Sequence, residues 1–179
     1  AASEPRGPSG KLGAFTRVGK TQVAGLDGQR IVLGVSGGIA AYKAAELLRQ
    51  LQQAGAQVRV VMTASALHFV GAATFQALSA HPVRSSLWDA EAEAAMSHIE
   101  LARWATQVLI APATANVIAR LAQGRANDLL STLCLATEAP LSLAPAMNRV
   151  MWAHPATQAN VALLQARGAC ILGPGEGDQ

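Results

Sequence analysis

From Arg30 onward the chain alternates short, continuous apolar runs with longer stretches in which apolar positions recur every three or four residues. The runs at 31–35, 58–62, 108–111, 141–144 and 169–172 have strand length and little internal alternation, the pattern of strands covered on both faces. Between the first two, residues 40–54 set Ala44, Leu47, Leu48 and Leu51 on one helical face and Lys43, Glu46, Arg49 and Gln50 on the other; Gly55 stops the helix. Further helices are predicted at 74–79, from His98 onward, at 117–123 before Gly124, and at 129–136 behind an Asn127-Asp128 cap. Strand and helix alternating in this way predict a three-layer α/β sandwich around a mostly parallel, Rossmann-like sheet of flavodoxin type. Residues 64–96 carry a weaker pattern, and 85–93 reads as mobile.

Residues 1–28 show no apolar period and hold Pro5, Pro8 and six glycines, so they read as an N-terminal extension outside the fold, with one domain over 29–179. Charge divides at the same point. Up to Arg30 there are five basic and two acidic residues, a surplus of three; the remainder has nine of each. The pI near 9.3 is therefore a property of the extension, and no basic stripe with interleaved aromatics marks a nucleic-acid footprint. Charged residues are only 14% of the chain against about 25% in ordinary domains, which predicts an oligomer with apolar interfaces. No apolar run approaches membrane-spanning length, so the expectation is a soluble, cytoplasmic protein. Cys134 and Cys170 are expected reduced in the core. His68, His81, His98 and His154 show no metal-ligand spacing, and no metal is assigned.

The first strand runs into Gly34-Val35-Ser36-Gly37-Gly38-Ile39. Its glycines permit a tight turn that aims backbone N–H groups and a helix N-terminus at a phosphate; the alternative is a plain strand-to-helix turn. A dinucleotide fingerprint needs glycine at Ser36 and an acid at Thr63, so a mononucleotide met by Ser36, Thr63 and Ser65 fits better. The strand at 108–111 empties into Ala111-Pro112-Ala113-Thr114-Ala115-Asn116, small residues against which a flat ring can lie, or a segment in which Thr114 or Asn116 caps the next helix. Ser97-His98-Ile99-Glu100 is a capping box with His98 as first helical residue, placed either for structure or to accept a proton. Past the strand at 141–144, Asn148 lies in Pro145-Ala146-Met147-Asn148-Arg149-Val150-Met151-Trp152. Met151 and Trp152 are expected to pack down and fix the loop. The amide then suits a substrate carboxylate or forms an Asx turn.

With these residues the chain resembles the flavin-containing cysteine decarboxylases over about 29–179. The likeness rests on the stretch 34–41, on His98-Ile99-Glu100-Leu101-Ala102-Arg103-Trp104-Ala105, on 111–116, and on Pro145 to Asn148 with Met151 and Trp152. It implies bound FMN, with Gly37, Gly38 and Ile39 at one contact, Thr63 and Ser65 at another, and Thr114, Ala115, Asn116, Val117 and Ala146 around the rest. It implies decarboxylation of phosphopantothenoylcysteine to phosphopantetheine in coenzyme A biosynthesis, with thiol oxidation by the flavin. His98 would assist that step, and Asn148 with Met147 would hold the substrate. It also implies a trimeric unit with flavin and substrate at a subunit interface. Relatives decarboxylate peptide cysteines or act as FMN-binding regulatory subunits. The family's proton-donating cysteine lies on a flap beginning where the sequence reaches Gln179, so the sequence as read implies impairment of the last step.

Overall fold

The five apolar runs form five strands, β1 (Arg30–Val35), β2 (Gln57–Met62), β3 (Gln107–Ala113), β4 (Leu141–Pro145) and β5 (Cys170–Ile171), in a computed structural model that describes residues 25–91 and 96–174. Most of the anticipated extension, residues 92–93 of the stretch anticipated as mobile, and 175–179 lie outside the described residues. Every strand pair is parallel, in the order β2-β1-β3-β4-β5. Connections after β1 and β3 leave in opposite directions, so the topological switch point falls between these two strands. In open α/β sheets a crevice for a ligand lies there.

Strand residues alternate between two helical layers. Ile31, Leu33, Val35, Val58, Val60 and Met62 meet α1 (Lys43–Gln53) and α2 (Ala72–Ser79), whose Leu48 and Phe75 are fully buried. Val32, Val61, Val108, Ile110 and Leu143 face the other layer, built from α3 (His98–Trp104), α4 (Ala115–Ala122), α5 (Leu129–Ala136) and α7 (Pro155–Ala166). A short helix, α6 (Arg149–Ala153), precedes α7. Burial on both faces explains why the strands read as unbroken apolar runs.

Several boundaries differ from the sequence expectation. The first helix is divided: Ile39–Tyr42 is a 3-10 turn with Gly38 as its N-cap, and α1 starts only at Lys43, a tight connector of the kind common at helix N-termini. α4 begins two residues early because Thr114 caps it. Leu26 belongs to the fold, packing on the α1 layer and donating its N–H to the Ala54 carbonyl at 2.6 Å. At Arg84 the backbone pairs outside β2, donating to Val60 and accepting from Met62 at 3.1 and 2.8 Å, and its buried guanidinium donates to the Met96 carbonyl. β5 has only two residues, at the sheet edge, and leaves Cys170 exposed; the core position expected for it is not found. Cys134 fits the expectation better. It packs against the core of α5, and burial, aided by the nearby Asp128 charge, pushes its thiol up to about 12.

Candidate functional site

Four loops converge at the carboxyl ends of β1 to β4 and line a cleft of about 690 Å³, within the range of small-molecule and cofactor sites. Residues 36–40 follow β1, 63–65 follow β2, 114–117 follow β3 with Pro112 at its end, and 146–148 follow β4; Arg120, Asn127, Asp128 and Met151 complete the wall. Of the predicted ligand contacts, Ser36, Gly37, Gly38, Ile39, Thr63, Ser65, Thr114, Ala115, Asn116, Val117, Ala146, Met147 and Asn148 are all brought to this cleft. The sheet edge gathers residues that are more than a hundred positions apart in sequence.

Each loop is held by hydrogen bonds that the sequence supplies. Ser36 is fully buried, and its hydroxyl donates to the Pro112 carbonyl at 2.6 Å while accepting the Thr114 N–H at 3.1 Å. It therefore ties the β1 loop to the β3 loop. Thr63 donates its N–H to Val35 at 3.0 Å and accepts the Ala66 N–H on its hydroxyl at 3.2 Å, leaving Ser65 exposed at the cleft. The two glycines have different causes. A Cβ on Gly37 would sit 2.4 Å from the Ser65 Cβ and 2.7 Å from its carbonyl carbon, so only glycine allows the two loops to touch. Gly38 is extended at φ −171°, a conformation open to any residue, and a Cβ there would meet only the Thr114 Cγ2 at 3.6 Å. Close approach at Gly37, rather than a tight turn needing both glycines, is what the loop requires.

Thr114 caps α4, accepting the Val117 N–H at 3.4 Å, while Asn116 stays exposed at the cleft. Asn148 combines both of its sequence readings. Its Oδ1 accepts the Val150 N–H at 2.7 Å as the N-cap of α6, and the residue lies exposed on the cleft wall with its Nδ2 donors outside any hydrogen bond among the described residues. Trp152 packs against the core as expected, but Met151 does not: neighbours on a helix differ in direction by about 100°, and Met151 turns outward into the cleft, 49% exposed.

His98 heads α3 behind a complete capping box, the Ser97 N–H donating to the Glu100 carboxylate at 2.8 Å and the Glu100 N–H to the Ser97 hydroxyl at 3.1 Å. Half-buried there, it is not among the residues that line the cleft. Sequence reasoning also missed three polar cleft residues, Arg120, Asn127 and Asp128. Arg120 pairs with Asp128, whose carboxylate caps α5 and accepts from the Ser131 N–H and hydroxyl, both at 2.7 Å. Asp128 was legible only as a cap; the available signal for Arg120 was its place four residues after Asn116, on the same helical face.

A family model described as Flavoprotein matches residues 21–178. The chain belongs to the flavoprotein family. It is 56% identical over 154 residues to the coenzyme A biosynthesis bifunctional protein CoaBC of Escherichia coli strain K12, covering 86% of this chain and 38% of that protein. Identity to CoaBC of Mycolicibacterium smegmatis is 52% over 149 residues, 83% of this chain and 36% of the relative. The chain thus spans less than two fifths of the length of these relatives. Among solved structures it is similar to the FMN-dependent cysteine decarboxylase SpaF, with a TM-score of 0.78 and 35% identity over 84% of this chain and 86% of that one. It is also similar to a cysteine-to-serine variant of PPC decarboxylase complexed with pantothenoylaminoethenethiol, with a TM-score of 0.71 and 31% identity over 83% of each chain. The all-parallel sheet and its helical layers are those of flavoprotein decarboxylases.

Proposed function

We propose that this flavoprotein binds FMN and decarboxylates phosphopantothenoylcysteine to phosphopantetheine, a step of coenzyme A biosynthesis. The observation that carries the reading is a single cleft that brings the Gly37 approach to Ser65, the Thr114–Val117 wall and the Asn148 amide together. The first holds the β1 and β2 loops in contact at the cleft, where the exposed Ser65 hydroxyl suits the phosphate of FMN. Small residues at 114, 115 and 146 leave a surface for a flat ring. When bound, FMN supplies a two-electron acceptor for the cysteinyl thiol, and the resulting thioaldehyde can receive the electron pair left as carbon dioxide departs.

The chain's own residues then have these tasks. Asn148, fixed by its bond to Val150, presents its Nδ2 donors to the substrate carboxylate until it leaves, and Met147 lines the same wall. His98 takes the thiol proton. Because His98 does not line the cleft of its own chain, it acts in the cleft of a neighbouring subunit. Exposed Ile39, Tyr42, Leu67 and Phe69 support such an assembly, and a homotrimer in the cytoplasm is the arrangement we infer. No described helix is long and apolar enough to cross a membrane.

The test is carbon dioxide release by FMN-loaded protein from phosphopantothenoylcysteine and, separately, from a peptide ending in cysteine. Release from the first alone is expected. Release from the peptide alone makes the protein a peptide-cysteine decarboxylase, and flavin binding without release from either makes it a non-catalytic FMN carrier.

A further inference from the structure

Among the described residues lining the cleft, Arg120 is the single cation and Asp128 the single anion. Every ligand named above is anionic. The FMN phosphate has the Ser65 hydroxyl beside the Gly37 loop, and the substrate carboxylate has the Asn148 amide. The substrate's own phosphate, at the end remote from its cysteine, has no partner in those assignments.

Arg120 is prepared for such a group. Asp128 spends one oxygen on the α5 cap and on the Ser131 hydroxyl and the other on Arg120 Nη1. One edge of the guanidinium is thereby fixed, and its other donors make no hydrogen bond among the described residues. The side chain keeps 29% of its surface accessible, at the cleft wall, and Asn127 lines the same cleft. A guanidinium held by a carboxylate on one side and open on the other offers a planar, pre-oriented fork suited to phosphate oxygens. A carboxamide lining the same cleft adds a neutral donor. We infer that Arg120, positioned by Asp128 and assisted by Asn127, binds the phosphate of the phosphorylated substrate and makes the site prefer phosphorylated over unphosphorylated pantothenoyl compounds. This rests on the decarboxylase reading above.

The test is equilibrium binding of phosphopantetheine and of pantetheine to FMN-loaded protein, which requires no turnover, for wild type, Arg120→Gln and Arg120→Lys. Wild type should bind phosphopantetheine the more tightly. Arg120→Gln should weaken phosphopantetheine about tenfold to a hundredfold, the loss of a charge-assisted pair, while leaving pantetheine affinity and FMN content unchanged. Arg120→Lys should recover part of the difference. The inference is overturned if Arg120→Gln keeps the wild-type preference, if it loses both ligands equally, or if it releases FMN, since the guanidinium would then serve the fold or the flavin. If wild type binds neither compound, the substrate class itself falls and the role of Arg120 with it; if wild type discriminates and Arg120→Gln does so equally, only the role of Arg120 falls.

Discussion

Adjacent glycines at 37 and 38 answer to different forces, and single methyl groups distinguish them. Gly37→Ala places a carbon 2.4 Å from the Ser65 Cβ and within 2.8 Å of its backbone, so the β1 and β2 loops must part. The clash lies at the cleft and not in the core, so FMN affinity should fall at least about tenfold while the protein still folds; fluorescence titration with FMN and a circular dichroism melt check both halves. Gly38→Ala meets nothing nearer than 3.6 Å, and its melting temperature should stay near wild type, as for other surface changes. Asn148→Asp makes a similar separation. Aspartate caps a helix as well as asparagine, so α6 should persist, while a carboxylate facing the substrate carboxylate should repel it. Tight substrate binding by a well-folded Asn148→Asp protein would show that the amide holds no carboxylate. The sequence made the Asn148 amide legible because prolines and a tryptophan bracket it. Arg120 was not legible, because its importance arises from Asp128 meeting it across a loop, a contact that no local pattern encodes.

Side-chain caps were the most readable local features. Ser97 with Glu100, Asp128 with Ser131, and Thr114 all cap where their side-chain chemistry directs, because N-caps act within four residues of sequence. Elements decided by tertiary packing were less readable, among them the 3-10 turn at Ile39–Tyr42, the Arg84 pairing beside β2, and the brief β5 that exposes Cys170. α5 carries a testable consequence of its packing. Cys134 is raised from an ordinary 9.0 to about 12, first by burial and then by the Asp128 charge. The unfolded chain then gives up this proton at lower pH than the folded one. The contribution to stability is complete below pH 9.0 and is lost as pH rises toward about 12. Cys134→Ala should therefore lose less melting temperature than wild type between about pH 8 and pH 11, other alkaline groups being common to both proteins. Equal alkaline slopes would mean that the thiol titrates alike in both states.

On the scale of the whole molecule, the proposed assembly accounts for both the few charges and the position of His98. Charged residues are 14% of the chain, and large apolar side chains stand free around the cleft loops, with Ile39 84%, Tyr42 62% and Phe69 53% exposed. His98 is absent from the cleft that holds Asn148. In the assembly proposed above, a neighbouring subunit covers the apolar rim and brings its own His98 to this cleft, so light scattering should give a multiple of the 18.4 kDa chain. Tyr42→Glu with Phe69→Glu should lower that mass without unfolding the protein, since both side chains are exposed. Function then follows assembly. His98→Asn and Asn148→Asp should each be inactive alone, because each variant spoils every site in its own oligomer. Dissociated and reassembled together, they should form some interfaces that carry His98 from one chain and Asn148 from the other, and decarboxylation should return to a fraction of the wild-type rate. If each site used both residues of one chain, every mixed site would still lack one of them and no activity would return.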